Sequence, residues 1–273
     1  MRTTTTTFVA TDPSAYEQFM GRWSQRLAPS FVEFVGVQAG EEVLDVGCGT
    51  GNLTLALAQV QVKSAVGIDP SSPYIDFARS RTSDPMVRFD VGDGTALPYG
   101  TGAFDRGLSM LVLDVVPDPA PMVAEMCRVT HPGGTVAGLV NDFRCGHPVF
   151  TMLWDTAAVL EPGFADLRDH LTSKRIGWPG GLVELWHAAG LTDIHEGRLT
   201  IPFDFGSFAD YWSTFTTGQG KTGGHLMSLP DRKRRQIEQY VRAAYLCGQP
   251  DGPRAFLMTF WVVRGLVPEK LPK

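Results

Sequence analysis

Apolar residues recur at helical spacing through "SAYEQFMGRWSQRLAPSFVEFV", with Pro29 near the start of a second helix. The pattern then changes. Short apolar runs, "EVLDVG", "SAVGID", "MVRFDVG", "FDRGLSMLVL" and "GTVAGLVN", alternate with helix-like segments at 52–60, 72–80 and 119–129, and the segment around Thr95 is weaker. Strand and helix in turn between 41 and 141 predict βαβ units, hence a parallel sheet covered on both faces with right-handed crossovers. Beyond Asn141 the rhythm breaks. "PVFTMLWDTAAVL" and "GGLVELWHAAG" read as helices, "LTDIHEGRLTIPFDF" and "RAFLMTFWVVRG" as two late strands. Between those strands lies an aromatic and glycine-rich stretch, 206–253, a candidate lid. Its basic run, Arg232 to Arg235, falls in a segment of helical period and reads as a solvated helix face.

A chain of 273 residues can bury a full core. The reading is one α/β domain: 1–40 a tail and capping helices, 41–141 the ligand-binding core, 142–273 a C-terminal half carrying the lid. A net charge of −5 argues against a general nucleic-acid binder. The four cysteines lie far apart without CxxC spacing, and the six histidines form no H-x-x-x-H pair. That predicts no metal site and no disulfide framework, and fits a reduced cytoplasmic setting. No span approaches transmembrane length. The opening "MRTTTTTFVA" is too discontinuous in apolar residues for a signal peptide and reads as a frayed tail.

The chemistry concentrates in "VLDVGCGTGNLTLALAQ". Gly47, Gly49 and Gly51 follow the first predicted strand, where open α/β sheets place ligands. Glycine there permits positive φ and removes β-carbons that would block a ligand lying on main chain. Asn52 then opens a helix whose free N–H groups suit an anion. A nicotinamide fingerprint, G-x-G-x-x-G, would need its third glycine at Asn52, but the spacing is G-x-G-x-G. Asp45 precedes the turn, Asp69 ends the second strand and Asp93 the third. Such a carboxylate rim repels a pyrophosphate and suits a cationic ligand with ribose and adenine.

Together, "VLDVGCGTGNLT", "VGIDPS", "VGDGTALPYGTGAFD" and "RVTHPGGTVAG" resemble the successive motifs of class I SAM-dependent methyltransferases. The resemblance is to the type 11 group that includes ubiquinone- and menaquinone-biosynthesis enzymes. It covers roughly 41–141, and "YEQFMGRWSQRLAP" extends it more weakly upstream. It implies a seven-stranded doubly wound sheet in the order 3-2-1-4-5-7-6, strand 7 antiparallel, and S-adenosylmethionine as cofactor. The run Gly47, Cys48, Gly49, Thr50 and Gly51 would lie under the methionine portion. Asp45 would hold its amino group, directly or through water. Asp69 would accept from the ribose, Asp93 would bind the adenine amine, and the Gly94 N–H would meet the ring. Pro70 and Ser71 would flank the adenosine, and Met110 and Leu111 would pack near the sulfonium. The acceptor would sit under the N-terminal helices and the lid. Tyr16, Arg22 and Trp23 are candidates from the former, and Trp154, Trp178, Phe205, Tyr211, Trp212 and His225 from the later segments. Arg22 could also reach the cofactor carboxylate, or form a surface salt bridge.

The family's amino-group methyltransferases for nucleobases and glutamine carry N/D-P-P-Y/F after the fourth strand. Here that stretch reads Ser109-Met110-Leu111-Val112, which favours a small-molecule acceptor. His147 and His225 are the candidate bases, while His131 belongs to the far end of the sheet. Two alternatives stay open: an NAD(P)-dependent oxidoreductase, and a SAM-binding sensor or scaffold without transfer activity.

Overall fold

The computed structural model describes residues 12–269. The threonine run and the expected frayed tail lie outside them. Seven strands form one sheet: β1 (Glu42–Val46), β2 (Ser64–Asp69), β3 (Val87–Val91), β4 (Phe104–Met110), β5 (Thr130–Asn141), β6 (Thr192–Phe205) and β7 (Arg254–Leu266), in the order β3-β2-β1-β4-β5-β7-β6. The first five pair in parallel, and β7 runs antiparallel to both β5 and β6. The expected order and orientation are therefore the observed ones.

Alternate strand residues feed opposite faces, which is why β1 and β2 read as unbroken apolar runs. Val43 and Ala65 join a core with Leu27, Phe31, Leu53 and Leu57, from α2 (Arg22–Val35) and α3 (Asn52–Ala58). Leu44, Val46, Val66 and Ile68 join the other core. There they meet Val123 and Met126 of α5 (Ala120–Val129), while Trp186 of α8 (Gly181–Ala188) packs farther along the same face. α4 (Ser72–Ser80) seats Ile75 and Ala78 on Phe89 of β3.

Three elements differ from the sequence expectation. α2 runs through Pro29 without a second start. Its buried stripe of Trp23, Leu27, Phe31 and Val35 holds it together across the missing hydrogen bond. It is preceded by α1 (Pro13–Tyr16) and one π-helical turn, Glu17–Gly21. β5 begins earlier than predicted, at Thr130, with a register shift opposite Phe104 and Arg106 that absorbs "HPGG". The stretch 206–253 is helical well beyond its basic run. It forms α9 (Phe208–Thr216), α10 (Gly220–Ser228) and α11 (Asp231–Leu246), anchored by buried Tyr211, Phe215, Ile237 and Tyr245. Gly223 serves close packing: a β-carbon on it would stand 2.9 Å from the Phe215 carbonyl oxygen. α6 (Pro148–Ala158) and α7 (Gly163–Thr172), the latter unforeseen, complete the cap beside them.

Candidate functional site

The turn after β1 hangs on the end of β2. Gly47 and Cys48 donate their N–H groups to the Ile68 carbonyl at 2.8 and 3.0 Å, and Gly49 donates to Asp69 Oδ2 at 3.0 Å. The three glycines answer different demands. A β-carbon on Gly47 would stand 2.5 Å from Val112, and one on Gly51, at φ +90°, 2.8 Å from the Phe89 ring. On Gly49 it would meet nothing nearer than Tyr74, at 3.9 Å. The bare side of Gly49 therefore faces the cavity, whereas Gly47 and Gly51 let the turn close on the protein itself.

That cavity measures about 680 Å³, within the range of small-ligand sites. Of the residues expected at the cofactor, Tyr16, Gly47, Gly49, Asp69 and Pro70 line it. So do Asp93, Gly94, Met110 and Leu111. Asp69 takes the Ser71 N–H on Oδ1 at 2.9 Å as well as Gly49 on Oδ2, and burial raises its pKa against those two bonds. Asp93 Oδ1 accepts the Thr95 N–H and hydroxyl, both at 2.8 Å.

The rest of the set stands behind the wall. Asp45 is fully buried, accepts the Thr54 hydroxyl at 2.7 Å, and does not line the cavity. Burial pushes its pKa up to about 7, against the Thr54 bond. Asp45 thus stands beneath the turn, on the buried side of the wall. Ser71 is the N-cap of α4, accepting from the Tyr74 N–H, rather than a flank of the cavity. Thr50 donates to Glu17 at 2.5 Å. Cys48 is buried, and its thiol pKa is driven well up by burial and by Asp45 and Asp69, so it is no nucleophile.

The π-turn explains how the N-terminal segment covers this turn, and π-turns often mark functional sites. Glu17 reaches Thr50, Asn52 at 3.4 Å and Arg81 at 3.8 Å. Its carboxylate folds back where a Gly21 side chain would be, at 2.3–2.5 Å. Tyr16 lines the cavity beside Tyr74, with ring centroids 5.4 Å apart. Arg22 does not reach it. Its guanidinium pairs with Asp210 at 2.8 Å and stacks 4.0 Å over Trp23, which corrects its expected cofactor role.

Both candidate bases are displaced. His147, before α6, is fully buried among Phe143, Phe150 and Phe260 and does not line the cavity. Burial lowers its pKa to about 3, so it is a neutral core ring. His225 packs on Phe164 at 4.7 Å, also outside the cavity. Of the aromatic candidates, Tyr16 and Trp154 face the cavity. Trp23, Trp178, Phe205, Tyr211 and Trp212 do not. The acceptor half presents residues the sequence reading passed over, among them Asp114, Asn141, Lys174 and Lys221. Asp114 is buried just past β4. Asn141 donates to its Oδ2 at 2.6 Å while its Oδ1 has no hydrogen-bond partner. Burial raises its pKa despite the Asn141 bonds. A carboxyl beyond a strand end was a readable signal, but nothing local separated Asp114 from a helix cap.

A family model described as "Methyltransferase domain", of type 11, matches residues 44–138, the strands that carry the glycine turn and its acids. Methyltransferase GfsG of Streptomyces halstedii is 33% identical over 194 residues, 68% of this chain and 66% of that protein. Demethylmenaquinone methyltransferase of Lactobacillus johnsonii is 32% identical over 143 residues, 50% of this chain and 58% of that protein. The chain belongs to the class I SAM-dependent methyltransferases, type 11. The chain spans between about a third and two thirds of the length of curated relatives it matches. The same fold recurs in a solved phosphoethanolamine N-methyltransferase 2 of Haemonchus contortus in complex with S-adenosyl-L-methionine, at TM-score 0.59 and 16% identity, covering 95% of this chain and 57% of that one. The cofactor of the family is S-adenosylmethionine, and this site fits it: bare main chain at Gly49, with two cavity-lining carboxylates, Asp69 and Asp93, beside it. Among the described residues no helix is long and apolar enough to cross a membrane.

Proposed function

We propose that the protein transfers a methyl group from S-adenosylmethionine to a small organic acceptor. The observation that carries the reading is the open side of Gly49, flanked by Asp69 and Asp93 at neighbouring strand ends, in one cavity with an aromatic acceptor half. In this reading Asp69 and Asp93 take the ribose and the adenine amine, Pro70 and Gly94 flank the adenosine, and Tyr16 covers it. Asp45 and Thr54 brace the turn from below. Bound there, the cofactor would supply a methyl group on positively charged sulfur to an acceptor lone pair. The chain's own work is to align that lone pair and exclude water, which can account for ~7–11 kcal/mol. Met110, Leu111 and Phe150 form the dry wall beside the reacting atoms. If the acceptor arrives as a hydroxyl, the free Oδ1 of Asp114 takes its proton. The three cap helices α9–α11 act as the lid of a single domain. The acidic rim disfavours a pyrophosphate, and with it a nicotinamide cofactor. Four free cysteines fit work in the cytoplasm.

Calorimetry with S-adenosylhomocysteine tests this. The wild-type chain binds it, and Asp69→Asn, which keeps shape and one acceptor oxygen, binds at least tenfold more weakly, about 1.4 kcal/mol. No heat from the folded wild-type protein, or equal affinity in the variant, refutes the assignment.

A further inference from the structure

Charged groups of both signs line the cavity: Asp69, Asp93, Asp114 and Asp118, with Lys174 and Lys221. Asp69 and Asp93 belong to its cofactor end. The two ammonium groups are Lys174, in the loop after α7, and Lys221, in the first turn of α10. Among the described residues, Lys63 and Lys233 pair with glutamates, but neither Lys174 nor Lys221 has a carboxylate within ion-pair distance. Lys174 donates to the backbone carbonyl of Asp114. Lys221 meets Nε2 of His170 at 2.8 Å. Burial and the two lysines hold the His170 ring below its usual range, so it accepts from Lys221 as a neutral imidazole. Lys174 is pushed down by burial, pulled back up by the Asp114 carboxyl, and pushed down again by Lys221. Three basic groups thus crowd one corner, answered by a single buried acid that faces Lys174.

Gathering like charges in a partly buried wall costs free energy unless something of opposite sign arrives. A purely structural pair of lysines would turn outward to water along their flexible stems. The Lys221–His170 contact is solvent-exposed, yet both lysines border the cavity, which Phe143, Trp154 and Leu171 also line. The lining thus offers acidic, apolar and basic parts. A cationic cofactor suits the first part. The last part asks for an anion on an apolar body.

We propose that the acceptor of this methyltransferase is an anion, a carboxylate or a phosphate ester on a flat apolar body, whose charged group seats on Lys221 and Lys174. The proposal rests on the methyl-transfer reading and adds the substrate class. Trp154, held by its indole N–H to the Thr222 hydroxyl at 3.0 Å, ties the apolar wall to the α10 turn that carries Lys221. Wall and charge are therefore positioned together.

The test uses the full chain saturated with S-adenosylhomocysteine and titrated with cinnamate, phenyl phosphate or the neutral cinnamyl alcohol. At least one anion binds tenfold or more tighter than the alcohol, and the better of the two tells carboxylate from phosphate. Lys221→Met, and the double variant with Lys174→Met, abolish that preference while leaving affinity for the alcohol and for S-adenosylhomocysteine unchanged. Equal binding of all three probes, binding of none, or a preference that survives in the double variant overturns the proposal and leaves the methyl-transfer reading standing. Failure of the wild-type chain to bind S-adenosylhomocysteine overturns both.

Discussion

At one end of the cavity the wall is main chain and strand-end carboxylates: Gly47, Gly49 and Gly94, with Asp69 and Asp93. At the other it is side chains brought from separate elements, Trp154 from α6, Lys174 from behind α7 and Lys221 from α10. The first end tolerates almost no substitution, because a missing side chain cannot be replaced by another. The second can be retuned one residue at a time. A fold that keeps one ligand constant and varies another would divide its wall in this way.

The sharpest break in that comparison lies within the glycine turn. Gly51→Val forces a branched side chain into φ +90° and against the Phe89 ring. Strain and overpacking together come to about 2–5 kcal/mol, so little folded protein should be recovered. Gly49→Ala costs only ~1 kcal/mol of backbone strain, since its β-carbon points into the cavity. It should melt near the wild type and lose S-adenosylhomocysteine affinity by at least tenfold. If the two variants fail alike, in folding or in binding, the division of labour among the glycines is wrong.

The same asymmetry governs what was legible beforehand. The cofactor end is written locally, as glycines at fixed spacing and an acid at each strand tip, and the family resemblance those motifs carry implied the seven strands and their order. The acceptor end has no local pattern. Lys174 and Lys221 stand far apart in sequence, and α7, which leads into Lys174, has one fully buried residue, Phe164, and so a weak apolar stripe. The glycines of "GQGKTGGH" gave no hint of α10, because close helix packing and flexibility ask for the same residue. His147 was misjudged for a related reason. Position after β5 placed it near the cavity, but only the surrounding phenylalanines reveal which way the ring turned.

A smaller effect distinguishes Asp45, on the buried side of the turn. Its folded pKa, about 7, exceeds the ordinary 3.8. The folded state therefore holds a proton that the unfolded chain gives up, and stability falls as pH rises between those values. Asp45→Asn removes this dependence while keeping an acceptor for Thr54. Urea midpoints of the ligand-free proteins should diverge by about 2 kcal/mol in favour of the variant between about pH 5 and pH 7. A gap that stays constant with pH would place the titration elsewhere.

The smallest functional effect is expected at His147, and its pH signature has the opposite sign. Here the folded pKa, about 3, lies below the ordinary 6.5. The unfolded chain takes up a proton that the folded ring refuses, so stability is lost as pH falls below about 6.5. His147→Phe keeps an aromatic ring among Phe143, Phe150 and Phe260 and has nothing to protonate. The variant should bind S-adenosylhomocysteine as the wild type does at neutral pH. It should gain about 1 kcal/mol relative to the wild type by about pH 5.5. A large loss of turnover with the fold intact would return His147 to the catalytic machinery. It would also mean that the cavity reaches past Phe143 in the working enzyme, against the contrast between its two ends.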